Sequence, residues 1–152
     1  MVSSKRLDPI KKLANNQEQK AARSLGESLE IYKLEKDKLK QLDTYRVEYM
    51  TAMNEKVSSG ISGASLQHYH QFLSKLDFAI KQQKEVLLVC EQRISAKQSH
   101  WQKEHGRNQA IGNAIDRLKA KEDVLRQKQE TINTDEISTQ AFIRRQKINN
   151  QN

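Results

Sequence analysis

The chain has 152 residues, of which 36% are hydrophobic and 30% charged, with 5 Gly, 1 Pro, 1 Cys and a formal net charge of +8. That length allows one domain at most, and an apolar share below the roughly 45 to 50% usual for globular chains excludes a thick, layered core. Ala, Glu, Lys, Leu and Arg supply 64 residues and Gln another 16, so helix formers dominate, while the β-branched runs and turn residues of a sheet are missing.

Asp8-Pro9 reads as a helix start, because Asp8 can accept from the orphan amides of a first turn and Pro9 gives up no hydrogen bond there. The pattern predicts a first helix over about 9–57. Its apolar residues (Ala14, Ala21, Leu25, Leu29, Tyr32, Leu39, Leu42, Tyr49, Met53 and Val57) recur at about a helical period, with local stutters where Glu35 and Arg46 fall near the stripe. Residues 58–63 (Ser-Ser-Gly-Ile-Ser-Gly) are the one turn signal in mid-chain, with Gly60 suited to a left-handed helix end and Ser62 or Ser65 to the next cap.

A second helix is predicted over about 64–132. Steps of three and four from Leu66 to Ile132 visit twenty positions, fourteen of them apolar or aromatic, which is a coiled-coil seam. Two long helices joined by a short loop must lie antiparallel, so the predicted fold is all-α: a long two-helix antiparallel coiled-coil hairpin forming one domain over 1–152. Centring the loop on Gly60 and Ile61 sets Tyr49 opposite Phe72, Tyr45 opposite Leu76, Leu42 opposite Ala79 and Pro9 opposite Gly112. Helix 1 is then exhausted, so Ile115, Leu118, Leu125 and Ile132 form a C-terminal helical overhang whose seam lacks a partner in the chain, mobile or docked on another protein. Gly106 and Gly112 are the weakest points of that helix. The tail, 133–152, reads as a short extra helix capped by Thr134, or as disordered.

The single Cys90 excludes an internal disulfide framework and a cysteine cluster for zinc, and it falls on the seam as a small buried hydrophobe. Residues 1–15 hold no apolar stretch, which predicts a cytosolic protein without a signal peptide or membrane span. Lys and Arg are interleaved with acids, 12 against 9 over 1–57 and 12 against 8 over 64–132, so solvated helix faces are expected rather than a nucleic-acid patch. His68 and His70, like His100 and His105, point to different faces of a helix and do not make a metal site. No phosphate loop is present, and a two-helix hairpin offers no cleft to tune a carboxylate, so neither enzyme activity nor a cofactor is expected.

Aromatic residues gather near the turn: Tyr45, Tyr49, Tyr69, Phe72 and Phe78 are five of the eight in the chain. Tyr45, Phe72 and Ala79 lie beside the seam, and for Tyr45 and Phe72 an exposed protein-docking stripe is the expectation. Tyr49 and Tyr69 divide evenly between core and docking.

The stretch Leu39-Lys40-Gln41-Leu42-Asp43-Thr44-Tyr45-Arg46-Val47-Glu48-Tyr49, the Gly60-Ile61 turn, and Tyr69-His70-Gln71-Phe72-Leu73 continuing through Leu76 to Ala79-Ile80 together resemble the FliJ family, the small coiled-coil proteins of the bacterial flagellar type III export apparatus. The likeness covers roughly 8–105 and weakens towards the C-terminus. It implies a stalk that enters the hexameric export ATPase, contacts the cytoplasmic domain of the membrane export-gate protein and escorts export chaperones. It places the protein in the cytoplasm, peripheral to the inner membrane, with no nucleic acid and no small-molecule substrate. Carried over by position, the gate-binding surface comprises Leu42, Tyr45, Tyr49, Phe72, Leu76 and Ala79. Lys38 and Gln83 stand where that surface has an amide or an imidazole. The overhang residues Ile115, Leu118, Leu125 and Ile132 are then assigned to the ATPase and chaperones. The stalk of a virulence-type secretion system, or a generic coiled-coil adaptor or basic nucleic-acid binder, are the alternative readings.

Overall fold

Ser3 opens the helical structure. In the computed structural model, which describes residues 3–151, its side chain accepts from the Lys5 backbone N–H and starts a 3-10 helix, Ser4–Leu7. This runs directly into α1 (Asp8–Ser59), and α2 follows (Gly63–Asn150). The fold is all-α, with two long helices packed together as an antiparallel hairpin. Asp8 does not act as the expected N-cap. Its backbone is already right-handed helical (φ −56°, ψ −45°), because Ser3 caps the chain one element earlier.

Gly60 ends α1 as expected. Its φ of 88° is left-handed, where a Cβ is strained, and its N–H returns to the Val57 carbonyl at 3.2 Å. The choice between Ser62 and Ser65 falls to Ser62, whose Oγ accepts from the Ser65 N–H at 3.2 Å.

The chain divides into two compact units: Gln17–His105, and the residues up to Asn16 with those from Gly106 on. In the first, α1 and α2 share an unbroken three-four rhythm of buried and half-buried positions. On α2 it runs from Leu66 through Leu76, Cys90 and Trp101 to Glu104. On α1 it runs Ala21, Leu25, Ser28, Tyr32, Glu35, Leu39, Leu42, Arg46, Tyr49 and Met53. The expected stutters are therefore absent. Glu35 and Arg46 occupy seam positions themselves, while Leu29 and Val57, expected on the seam, are exposed.

Several polar residues on this seam find a partner on the facing helix, while Ser28 donates to the Ser24 carbonyl of its own helix at 3.1 Å. Gln83 donates to the Glu35 carboxylate at 2.6 Å and to its carbonyl at 2.8 Å; Arg46 binds Asp77 at 2.6 Å; Tyr32 donates to Glu91 at 3.2 Å; His105 pairs with Glu18 and stacks on Trp101. Such pairs fix register more than they add stability, since a slip of one turn would strand them. The apolar core proper is small: Met53, Leu73 and Leu76, with Leu42, Tyr49, Met50, Leu66, Tyr69 and Phe72 packed against it.

In the second unit the start of the chain lies beside 108–122. Lys11 donates to the side-chain oxygen of Asn108 at 2.7 Å, and a Cβ at Gly112 would stand 3.3 Å from the Lys11 ammonium, close to the expected Pro9 and Gly112 register. The expectation of a bare seam from Ile115 onward needs correction. Ile115 is buried (6% exposed) and Leu118 half-buried, because the chain is helical from Ser4 and keeps pairing as far as Glu122. Beyond Glu122 every described residue is exposed, with Leu125 at 51% and Ile132 at 58%.

The tail is corrected as well. α2 continues unbroken to Asn150, through Gly106 and Gly112. Thr134 is no cap but a mid-helix residue, its hydroxyl donating back to the Glu130 carbonyl at 2.9 Å, as Thr139 does to Asp135. Among the described residues no helix is long and apolar enough to cross a membrane.

Candidate docking surfaces

The six residues expected to form one docking stripe share the loop end of the hairpin but divide by depth. Leu76 is 7% exposed and belongs to the core with Met53 and Leu73, so it supports the stripe from beneath and offers no surface. Leu42, Tyr49, Phe72 and Ala79 are half-buried. Tyr45 is the open one, at 48%.

The rings form a linked set. Tyr49 is its centre, 4.5 Å from Phe72 and 5.0 Å from Tyr69 between centroids, and Tyr45 meets Phe72 edge-on at 5.9 Å. These spacings are those of favourable aromatic pairs. Burial, and then the neighbouring hydroxyls of Tyr69 and Tyr45, raise the Tyr49 pKa, so its phenol stays protonated. Tyr49 and Tyr69, like Phe72, pack on the apolar cluster while remaining half-buried. Lys56 covers the Tyr69 ring from outside, its ammonium 5.7 Å from the centroid.

The same flank continues away from the loop. Ile31, Val86 and Val89 line a groove between the helices with Glu35, Glu85 and Arg93 at its margins. This extension was not expected from the sequence, although Ile31 lies two heptads before Tyr45 and Val86 two heptads after Phe72. Phe78, expected among the aromatics of this end, is 64% exposed.

The second surface is the unpaired stretch of α2. Of the four residues assigned to it, only Leu125 and Ile132 are presented to solvent, and a shallow groove there is lined by Ala120, Lys121, Val124 and Leu125. Cys90 is a free, buried thiol, and among the described residues no group of three or more His, Cys, Asp or Glu side chains is placed to hold a metal ion. Neither surface is a cleft around reactive groups. Both are side-chain arrays suited to another protein.

The chain is similar over most of its length to known proteins. A family model described as the flagellar FliJ protein matches residues 3–147. A flagellar FliJ protein of Salmonella typhi is 28% identical over 139 residues, covering 91% of this chain and 95% of the relative. A flagellar FliJ protein of Escherichia coli (strain K12) is 32% identical over 104 residues, covering 68% of this chain and 71% of the relative. No solved structure matches the chain.

Proposed function

The chain belongs to the flagellar FliJ protein family, and from that membership we propose that it serves flagellar protein export as a non-enzymatic stalk. The loop end of the hairpin docks on the cytoplasmic domain of the membrane export-gate protein. The unpaired end of α2 engages the hexameric export ATPase, promotes its assembly and activity, and receives export chaperones. The protein works in the cytoplasm, peripheral to the inner membrane. The flagellar name carried by both relatives favours the flagellar system over a virulence one.

One observation carries the gate half of this reading: Tyr45 is open to solvent yet held edge-on against Phe72, which itself rests on the core. A rigid, half-exposed aromatic pair backed by a packed core is the kind of anchor on which protein interfaces centre, because little side-chain entropy is lost on binding. The test is a titration of the cognate gate domain with the chain carrying Tyr45→Ala and Phe72→Ala. Loss of binding with unchanged helicity supports the reading; undiminished binding contradicts it.

A further inference from the structure

We infer that the unpaired stretch of α2 just beyond Glu122 is one half of a coiled coil, whose other half is a partner helix with an apolar seam and acidic flanks. This rests on the proposed engagement of the same stretch by the export machinery and specifies the chemistry of what binds there. The three-four rhythm that is buried up to Glu122 does not stop at that residue. It runs on through Leu125, Gln129 and Ile132, all exposed, where no described residue covers it.

The flanks of that stretch say which helix fits. The positions bordering the seam from Glu122 to Ile132 are Lys121, Arg126, Lys128 and Asn133, three basic and one uncharged, all exposed. Arg126 also pairs with Asp123, one turn away on its own helix, and that contact is fully at the surface. Along the paired seam of α1 the flanks are mixed instead, as Ala22, Leu29, Lys36 and Asp43 illustrate. Flanking charges select coiled-coil partners through attraction and, more sharply, through like-charge repulsion. A second copy of this chain, docked here in either direction, would set basic flank against basic flank. A helix with Glu or Asp at its flanking positions meets no such penalty and closes the seam over Leu125 and Ile132.

The test uses the full chain and two synthetic three-heptad peptides with Leu at the seam positions, one with Glu and one with Lys at every flanking position. The acidic-flanked peptide should bind at least about tenfold more tightly, a difference of about 1.4 kcal/mol. Lys121→Glu with Arg126→Glu and Lys128→Glu should reverse the preference, and Leu125→Glu with Ile132→Glu should abolish binding, each with helicity retained. Equal affinity for the two peptides, no binding of either, or equally tight binding of a random-sequence DNA duplex overturns the inference. The unmodified chain is assayed in parallel for stimulation of the cognate export ATPase. Stimulation without peptide preference overturns this inference alone, whereas charge-directed peptide binding without stimulation overturns the reading on which it rests.

Discussion

Ser4 and Glu122 lie 118 residues apart in sequence and are joined twice: the Ser4 backbone N–H and its hydroxyl each donate to one carboxylate oxygen of Glu122 at 2.8 Å. Ser4 is buried, and the pair ties the chain's start to α2. The Ser4 N–H, and then its hydroxyl, hold the Glu122 carboxyl below its ordinary value of 4.5.

A carboxyl whose pKa is depressed on folding adds stability above its unfolded value, and that stability is lost as the pH falls through the folded value. Residues 4–11 should therefore stay protected from hydrogen exchange at neutral pH and lose protection on acidification below 4.5. Glu122→Gln should produce the same fraying at neutral pH. Protection that is unchanged in the variant would show that Ser4 is held by packing alone.

The docking residues should separate by depth. Leu76→Ala removes a buried core side chain and is expected to cost about 2–3 kcal/mol in chemical denaturation, while Tyr45→Ala should cost under about 1 kcal/mol because half of that side chain is already in water. Equal losses would place Tyr45 in the core.

How much of this was legible in the sequence depended on which side chains carried the seam. α2 repeats Leu and Ile at three-four spacing, so its buried face was readable to about Gly112 and its antiparallel partner followed; the burial of Ile115 and Leu118 was not, because the helical start at Ser4 carries little apolar pattern. α1 places Glu18, Glu35 and Arg46 on its seam, and a hydrophobic pattern breaks wherever such a residue falls. Their fitness appears only once His105, Gln83 and Asp77 stand opposite. The stripe at Tyr45 and Phe72 was legible as aromatics beside the seam. The depth of Leu76 was not, because it needs the packing of Met53 and Leu73 around it. The helical tail was missed because its apolar residues are sparse, although its Gln, Lys and Glu are good helix formers and Thr134 satisfies its hydroxyl within the helix.

The polar pairs make a further distinction. Glu35→Leu with Gln83→Leu should raise Tm, since an apolar pair fits a coiled-coil seam better than a polar one, while weakening the preference for a single register. Cysteines placed at Tyr45 and Phe72 in that background should then crosslink less completely than in the otherwise unmodified chain. A lowered Tm would mean that the Glu35 and Gln83 pair stabilises outright.

The turn carries one conformational demand. Gly60→Ala forces a side chain into the left-handed region at φ 88° and should cost about 1–2 kcal/mol in thermal or chemical unfolding without changing the aromatic cluster. A neutral substitution would mean that the loop relaxes to another turn.

In the proposed function the stretch of α2 beyond Glu122 acts on the export ATPase while the hairpin stands without it. The most direct measurement is stimulation of the cognate flagellar export ATPase by the full chain and by a chain ending at Glu122. Stimulation is expected from the first and none from the second, with the two unfolding at closely similar temperatures because the described residues beyond Glu122 are all exposed. Full stimulation by the shortened chain would contradict the proposed function.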